Sequence, residues 1–253
     1  MTLRLEREGG LVRLRLDKGR GNAIDDALVA DLRRAADELA ADESVRGVLL
    51  ASAHPKLFCP GLDLVTLVRH DRAAMKAFMA AFVDAVWALY GLRQPMVAAV
   101  NGAAVAGGCI LALTADYRVL RRGAPIGLNE VKVGVPLPWS VTALLRASVP
   151  PTALTRIALL GRNFTDEEAV AVGLADEVCE EGRVEAVALE RLTELADKEP
   201  SALAATKACL REPVRQQMRA RETEHLQSFV DVWFSPATRE RIQAIVASLR
   251  PRG

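Results

Sequence analysis

Hydrophobic and polar residues alternate with a period of two at the start of the chain and then change to a helical period. The runs TLRLER and LVRLRLD lie on either side of Gly9 and Gly10, which predicts a β-hairpin closed by a Gly-Gly turn. From Asp25 to Ala41 the apolar residues recur at the spacing of one helix face. The chain therefore begins with a hairpin and an amphipathic helix.

Predicted strands and helices alternate through the next part of the chain. The runs VRGVLLAS, PMVAAV and DYRVL predict strands, and AAMKAFMAAFVDAVWALYGL predicts an amphipathic helix. TDEEAVAVGLADEV predicts a helix that runs into a strand, with Thr165 and Glu168 at the spacing of a capping box. After about Gly182 the pattern is helical, with interruptions predicted at Pro213 and Pro236. The predicted fold class is an α/β core followed by a helical C-terminal portion.

The segment from Pro95 to Ala115 has no charged residue and approaches the length of a membrane span. Pro95, the Asn101-Gly102 pair and the Gly107-Gly108 pair instead divide it into a strand, a loop and a new helix. A phosphate-binding loop would need a lysine where Gly108 stands, and the glycine triplet of a dinucleotide fingerprint is missing from this segment. We therefore expect neither a membrane span nor a nucleotide loop.

Composition and charge argue for an ordinary globular protein. Of the 253 residues, 51% are hydrophobic and 26% charged, and 33 basic residues nearly balance 32 acidic ones without forming a dense block. This argues against nucleic acid or an acidic membrane surface as the main partner. The four cysteines have no zinc-site spacing and the N-terminus has no apolar signal region, so we expect reduced thiols, no metal and a cytoplasmic location.

Two glycine turns could supply hydrogen-bond donors to a negatively charged oxygen. A helix that starts near Gly107 presents unpaired N–H groups, although the glycine pair could equally serve only tight helix-strand packing. Upstream, the Pro60-Gly61 turn could point the Leu62 N–H inward beside the first donor. Two such donors would form an oxyanion hole.

The two glycine segments resemble those of the crotonase (enoyl-CoA hydratase/isomerase) superfamily. The resemblance rests on the F-x-x-G-x-D-L segment from Phe58 to Leu64 and the N-G-x-x-x-x-G-G segment from Asn101 to Gly108, and it continues through ADYRVL, IGLNEVKVGV and DEEAVAVGLADEV. It implies a spiral of βββα units in two sheets. It also implies a core over residues 1–195, which holds CoA and the active site, and a helical trimerisation region over residues 196–253, in a homotrimer or dimer of trimers.

The resemblance also implies a ligand and a set of site residues. The ligand is an acyl-CoA thioester, in which CoA is part of the substrate, so no separate cofactor and no metal is implied. The oxyanion donors fall on Leu62 and Gly107. The residues implied to contact the CoA or the acyl group are Asn22, Ala23, Phe58, Pro60, Gly61, Asp63, Ile110, Leu137 and Trp139.

The reaction depends on two positions at which hydratases of this family carry glutamates. The first position holds Ile110 and the second holds Glu130, in GLNEVKVG. Hydration needs one group to deprotonate water and another to protonate C2, whereas moving a double bond from the 3,4 to the 2,3 position needs only one base. The segments AGGCILALTADYRVL, GLNE and PLPW are similar to those of mitochondrial-type Δ3,Δ2-enoyl-CoA isomerases, in which a single glutamate is the base. The sequence therefore predicts an isomerase with Glu130 as its catalytic base.

Two other functions stay open from the sequence. One is another crotonase reaction, either hydration of an enoyl-CoA or hydrolysis of an acyl-CoA. The other is a non-catalytic acyl-CoA-binding subunit, which the loss of the first glutamate makes plausible. Asp63 and Asp116 are interpreted as structural residues at turns, and Phe229 and Trp233 as core or subunit-interface anchors on a helix that borders the acyl pocket in the family.

Overall fold

A computed structural model of the protein describes residues 2–249. In that range the chain forms ten strands and twelve α-helices. The strands are β1 Leu3–Glu8, β2 Leu11–Leu16, β3 Gly47–Ser52, β4 Leu57–Cys59, β5 Met96–Val100, β6 Ala103–Val105, β7 Tyr117–Arg121, β8 Ile126–Gly127, β9 Asn163–Phe164 and β10 Glu177–Cys179. The helices are α1 Gly19–Asn22, α2 Asp26–Ala41, α3 Leu64–Leu67, α4 Arg72–Tyr90, α5 Gly107–Leu113, α6 Glu130–Val133, α7 Trp139–Ser148, α8 Asp166–Ala171, α9 Val184–Ala196, α10 Pro200–Ala220, α11 Glu222–Trp233 and α12 Pro236–Leu249.

The strands form two sheets that the chain visits in turn. The larger sheet has the order β1-β2-β3-β5-β7-β10 and is parallel except for the predicted hairpin β1-β2. The smaller sheet has the order β4-β6-β8-β9 and is parallel except for β8-β9. In each of three successive circuits, β3-β4, β5-β6 and β7-β8, the chain adds one strand to the larger sheet and one to the smaller sheet before a helix follows. This path is the predicted spiral. Parallel strands require such crossovers because a tight turn cannot connect them.

The core lies on both faces of the larger sheet. Every residue of β3 and β5 is buried, as expected for parallel strands covered on both sides. Helix α9 covers one face with apolar residues that include Val187 and Leu192, while α2 and α4 pack together in the main core. The predicted apolar face of α2 is buried, and the Asp25 carboxylate caps this helix by accepting from the Leu28 N–H.

One described helix, α4, is long and apolar enough to cross a membrane when judged by length and composition alone. Half of its most apolar window is buried inside the fold, as in the core helix of a soluble protein. The segment from Pro95 to Ala115 forms the predicted strand, loop and helix as β5, the turn after it and α5, and it also contains the short strand β6, which was not predicted. Its apolar character therefore serves the core.

A partly buried ion cluster centred on Asp116 joins the C-terminal helices to the sheet. The Asp116 carboxylate accepts from Lys207 Nζ and Arg211 Nη2, each at 2.6 Å, and from the Met96 N–H at 2.7 Å. Lys207 also donates to the Gln94 carbonyl, and burial lowers the pKa of Lys207 to about 8 even though Asp116 favours its charged form. The predicted structural role of Asp116 is confirmed.

Two local predictions were wrong. Helix α10 runs through Pro213 without a break and ends at Ala220. The helix tolerates Pro213 because Pro213 and Cys209 are exposed, so water can bond the carbonyl that loses its donor. The Thr165 side chain makes no cap bond to α8, and Glu168 pairs with Arg162 instead. The break predicted at Pro236 is present, since Pro236 is the first residue of α12.

We expect D116N to lower the free energy of unfolding by about 3–5 kcal/mol, because it leaves two buried cations without their anion. The matched control is D231N, which removes an exposed partner of Arg72 and should cost less than about 1 kcal/mol. Urea unfolding of both variants checks this. Equal losses in the two variants would show that the cluster does not stabilise the fold.

Candidate active site

Three consecutive circuits of the spiral end at one edge of the smaller sheet. Strands β4, β6 and β8 are neighbours and run parallel, so their carboxyl ends lie side by side. The residues that follow them are Gly61-Leu62, Ala106-Gly107 and Asn129-Glu130. Segments about 70 residues apart in the chain therefore meet because of strand pairing alone.

A cavity of about 850 Å³ opens at this edge and extends beneath the helices. Its walls are mainly apolar, which suits an acyl chain and excludes water from the reacting atoms. The lining residues include Leu62, Gly107, Ile110 and Glu130, together with Met79 and Phe82 from α4, Phe229 and Trp233 from α11, and Ile245 and Leu249 from α12.

Glu130 is a buried carboxyl group at the start of α6. Only 8% of the residue is exposed, and its Oε2 has no hydrogen-bond partner among the described residues. Burial raises the pKa of Glu130 to about 7, and its own backbone N–H offsets part of that effect. A carboxyl group with such a pKa can take up and return a proton near neutral pH.

The Leu62 N–H is free because of how the chain passes Ile24. Ile24 donates to the Gly61 carbonyl and accepts from the Asp63 N–H, both at 2.8 Å. These bonds use the edge of the chain that faces Ile24, so the intervening Leu62 N–H points to the opposite side. It has no acceptor among residues 2–249.

The Gly107 N–H lies at the start of α5, beside the Gly61 turn. A Cβ built on Gly61 would lie 3.2 Å from the Gly107 nitrogen, and one built on Gly107 would lie 3.3 Å from the Gly61 Cα. Gly107 also has no backbone acceptor in the described part of the chain. Two free N–H groups on touching loops can donate together to one oxygen.

The predicted site residues fall into three groups. Ala23, Pro60, Asp63 and Ile110 line the cavity with Leu62, Gly107 and Glu130. The Asp63 carboxylate is already used, since it caps α3 by accepting from the Thr66 N–H. Only Ile110 of these is both apolar and almost fully buried, at 2% exposure.

Three further predicted residues support the site from behind. Asn22 is fully buried, and its side-chain amide donates to Ser52 Oγ and to the Phe58 carbonyl. Phe58 is a core side chain, and Gly61 supplies a turn with φ of +93°. These residues shape the loop and do not line the cavity.

The expectation that Leu137 and Trp139 contact the CoA or the acyl group is corrected by the structure. Neither residue lines the cavity, whereas Pro136 and Pro138 do. Trp139 turns toward the C-terminal helices, where its indole N–H donates to the Gln217 carbonyl and its ring stacks on His225. Position along a segment does not decide which side of the backbone faces the cavity.

Apolar residues from distant helices complete the cavity. Met79, Phe82, Ile245 and Leu249 were not predicted as site residues, because their helical periodicity marks any buried face. Phe229 and Trp233 are buried on α11, as predicted for core anchors, and also line the cavity. The cavity therefore uses residues on both sides of the predicted boundary at 195, and residues 250–253 of the predicted second region lie outside the described range.

No group of three or more His, Cys, Asp or Glu side chains in residues 2–249 is placed to bind a metal ion. Cys109 is buried, and burial raises the pKa of its thiol above the usual value, so this side chain is part of the core. The polar groups of the cavity wall are therefore Glu130, the backbone donors and a few residues near the rim.

Comparisons with known proteins match most of the chain. The model of the enoyl-CoA hydratase/isomerase family matches residues 6–249. The human mitochondrial protein enoyl-CoA delta isomerase 1 is 30% identical over 231 residues, which are 90% of this chain and 76% of that relative. The 2,3-dehydroadipyl-CoA hydratase of Escherichia coli (strain K12) is 30% identical over 232 residues, 91% of this chain and 88% of that relative. The crystal structure of human mitochondrial delta3-delta2-enoyl-CoA isomerase matches at a TM-score of 0.94 and 28% identity, over 98% of both chains.

We expect E130Q to stabilise the protein at pH 8.5 and to have little effect at pH 5. The pKa of Glu130 is higher in the folded state than its ordinary value of 4.5, so the folded state loses stability as pH rises through that window. The loss reaches about 3 kcal/mol above pH 7, at 1.36 kcal/mol per pKa unit. Urea unfolding at the two pH values measures it.

The matched control is E190Q, which changes an exposed glutamate on α9. Its stability should follow that of the wild type at both pH values. A wild-type protein that is as stable as E130Q at pH 8.5 would contradict the desolvation of Glu130.

Proposed function

The chain belongs to the enoyl-CoA hydratase/isomerase family, and we propose that it moves the double bond of a 3-enoyl-CoA to the trans-2 position. The match to the isomerase structure confirms the predicted crotonase fold. One observation carries the proposal: the cavity offers a single buried carboxyl group without a partner, Glu130, and has Ile110 where hydratases carry a second glutamate.

In the proposed reaction Glu130 acts alone as base and acid. Its carboxylate removes a proton from C2 of the substrate, and the electron pair moves through C2 and C1 onto the thioester oxygen to form a dienolate. The resulting carboxylic acid of Glu130 then donates the proton to C4, and the electrons return to form the conjugated 2-enoyl thioester. Protons and electrons balance without water or a redox cofactor.

The backbone donors would stabilise the intermediate. Negative charge develops on the thioester oxygen, and the Leu62 and Gly107 N–H groups lie on adjoining loops of the same cavity. Removal of one such donor typically costs about 3–4 kcal/mol in the activation free energy. Because both are backbone groups, their positions depend on the fold of the two glycine turns.

The apolar wall favours isomerisation over hydration. Ile110 cannot bind or activate a water molecule, and the Asp63 carboxylate is held by α3. Two ionisable residues near the cavity, Arg69 and Lys132, are exposed at its rim. The similarity to a bacterial hydratase keeps hydration as the competing reaction, which a measurement on crotonyl-CoA would reveal.

The assembly and location predicted from the sequence remain predictions. A homotrimer or dimer of trimers is what the family resemblance implies, and the cytoplasmic location is an expectation from the sequence. Neither bears on the chemistry of Glu130.

We expect the wild type to convert trans-3-hexenoyl-CoA to the conjugated 2-enoyl thioester, and E130Q to be slower by roughly 10³-fold, because glutamine cannot exchange the proton. Absorbance of the conjugated thioester measures the rate. Binding of hexanoyl-CoA, which has no double bond to move, is the control and should persist in E130Q.

Three outcomes would overturn this proposal. If E130Q keeps wild-type activity, Glu130 is not the base. If neither protein turns over any 3-enoyl-CoA while both bind hexanoyl-CoA, the protein is a binding subunit. Faster hydration of crotonyl-CoA than isomerisation of hexenoyl-CoA would identify a hydratase.

We also expect kcat/KM to fall as pH decreases below about 7, tenfold per pH unit, and to level off above it. The active form of the base is the carboxylate, and burial raises the pKa of Glu130 to about 7. A pH profile with trans-3-hexenoyl-CoA checks this. A profile that stays flat down to pH 5 would show that a group with an ordinary carboxyl pKa controls the reaction.

A further inference from the structure

Ala106 has a backbone conformation that an L-residue rarely adopts. Its φ is +48° and its ψ is −123°, outside the left-handed helical region, where ψ is about +30 to +60°. The other described non-glycine residues with positive φ are Asn22 and Asp166, whose short polar side chains tolerate it better. A strained alanine beside a candidate active site calls for a physical reason.

Two hydrogen bonds hold Ala106 in this conformation. Its N–H donates to the Gly127 carbonyl at 2.8 Å, which continues the pairing of β6 with β8. Its carbonyl accepts from the Ile110 N–H at 3.0 Å, which begins the bonding of α5. The first bond fixes the peptide before Ala106 and the second fixes the peptide after it. The strain is the rotation needed between those two peptide planes.

The second peptide plane contains the Gly107 N–H. In a trans peptide the C=O and N–H groups point in opposite directions. Because the Ala106 carbonyl points into α5, the Gly107 N–H points out of the helix start. With a left-handed ψ of about +47° this peptide would rotate by roughly 170°, and the N–H would point the other way.

We propose that Ala106 is a positioning residue whose strained backbone directs the Gly107 N–H at the thioester oxygen of the substrate. This inference rests on the proposed function, in which Gly107 is an oxyanion donor. It assigns the effect to the backbone conformation at 106 and not to the alanine methyl group. Ala106 itself lines the cavity, but in this proposal it acts on the reacting atoms through the Gly107 N–H.

The experiment compares A106G and A106V with A103G and A103V. Glycine adopts positive φ freely, whereas β-branched valine strongly resists it. Ala103 lies on β6, the strand that ends immediately before Ala106, and has no positive φ, so it provides a control for each substitution. The measurements are kcat and KM for trans-3-hexenoyl-CoA, the thermal midpoint, and the infrared carbonyl frequency of bound hexanoyl-CoA labelled with ¹³C at the thioester.

We expect A106V to lower kcat by about 100-fold or more, as for loss of one oxyanion donor, with KM changed only a few-fold. The bound carbonyl frequency should move back toward its value in water. A106G should lose at most a few-fold in kcat and keep the shifted frequency. A103V should match the wild type in all three measurements.

The thermal midpoint should distinguish the relief of strain at position 106 from the ordinary destabilisation that glycine causes. A103G should lower the thermal midpoint by about 3 °C, because glycine raises the entropy of the unfolded chain. A106G should leave the midpoint at or above the wild-type value, since it relieves the strain. If A106V does not fold, the thermal midpoints of A103G and A106G and the infrared frequency of A106G still test the proposal.

Three results would overturn the proposal. Wild-type kcat and carbonyl frequency in A106V would show that the strained conformation is not needed. An equal loss of kcat in A106G and A106V would assign the effect to the methyl group. An equal fall in the thermal midpoint of A106G and A103G would show that Ala106 stores no strain. Because the carbonyl frequency is read on a saturated ligand, it tests the Gly107 donor even if the wild type proves not to be an isomerase.

Discussion

The close approach of helix α5 to strand β4 is the constraint on which the active site depends. A Cβ on Gly108 would lie 2.0 Å from the Cys59 carbonyl oxygen, a distance at which no side chain can exist. Glycine at this position lets the helix start touch the loop that follows β4. The Gly107 N–H thereby comes beside the Gly61-Leu62 turn. If α5 lay farther from β4, the Leu62 and Gly107 N–H groups could not donate to the same oxygen. Packing and chemistry are therefore set by one contact between backbones.

The fold treats the carboxyl groups of Asp116 and Glu130 in opposite ways. Asp116 accepts from two cations and a backbone N–H, so its charge is satisfied and ties α10 to the sheet. Glu130 is left with an unpartnered oxygen in an apolar cavity, so its charged form is disfavoured. The first arrangement stabilises the fold. The second lowers stability at high pH and in return provides a base whose pKa is near neutrality.

The same division holds for the backbone. Most of the spiral consists of relaxed strands and helices, whereas a positive φ occurs at the residues that follow β4 and β6, Gly61 and Ala106. Gly61 adopts a positive φ without steric penalty because it has no Cβ, whereas Ala106 adopts a positive φ at a steric cost. Strain of this kind persists only when surrounding bonds determine it, and the Gly127 carbonyl and the Ile110 N–H do so. The stability of the surrounding structure thus offsets the backbone strain that directs the Gly107 N–H.

The sequence by itself determined the order of the elements, the two glycine turns and the glutamate. Periodicity and glycine spacing are local signals, and the motif resemblance assigned Leu62, Gly107 and Glu130 to one site, where the structure brings them together. Local signals failed where a distant partner intervened: Glu168 pairs with Arg162 instead of capping a helix, and Trp139 turns toward His225. Only the tertiary structure decided which distant residues line the cavity, namely Met79, Phe82, Ile245 and Leu249. It also decided how deeply Glu130 is buried, and this burial raises the pKa of Glu130. The reason is that burial and cavity shape arise from contacts between residues far apart in the chain, which no local pattern encodes.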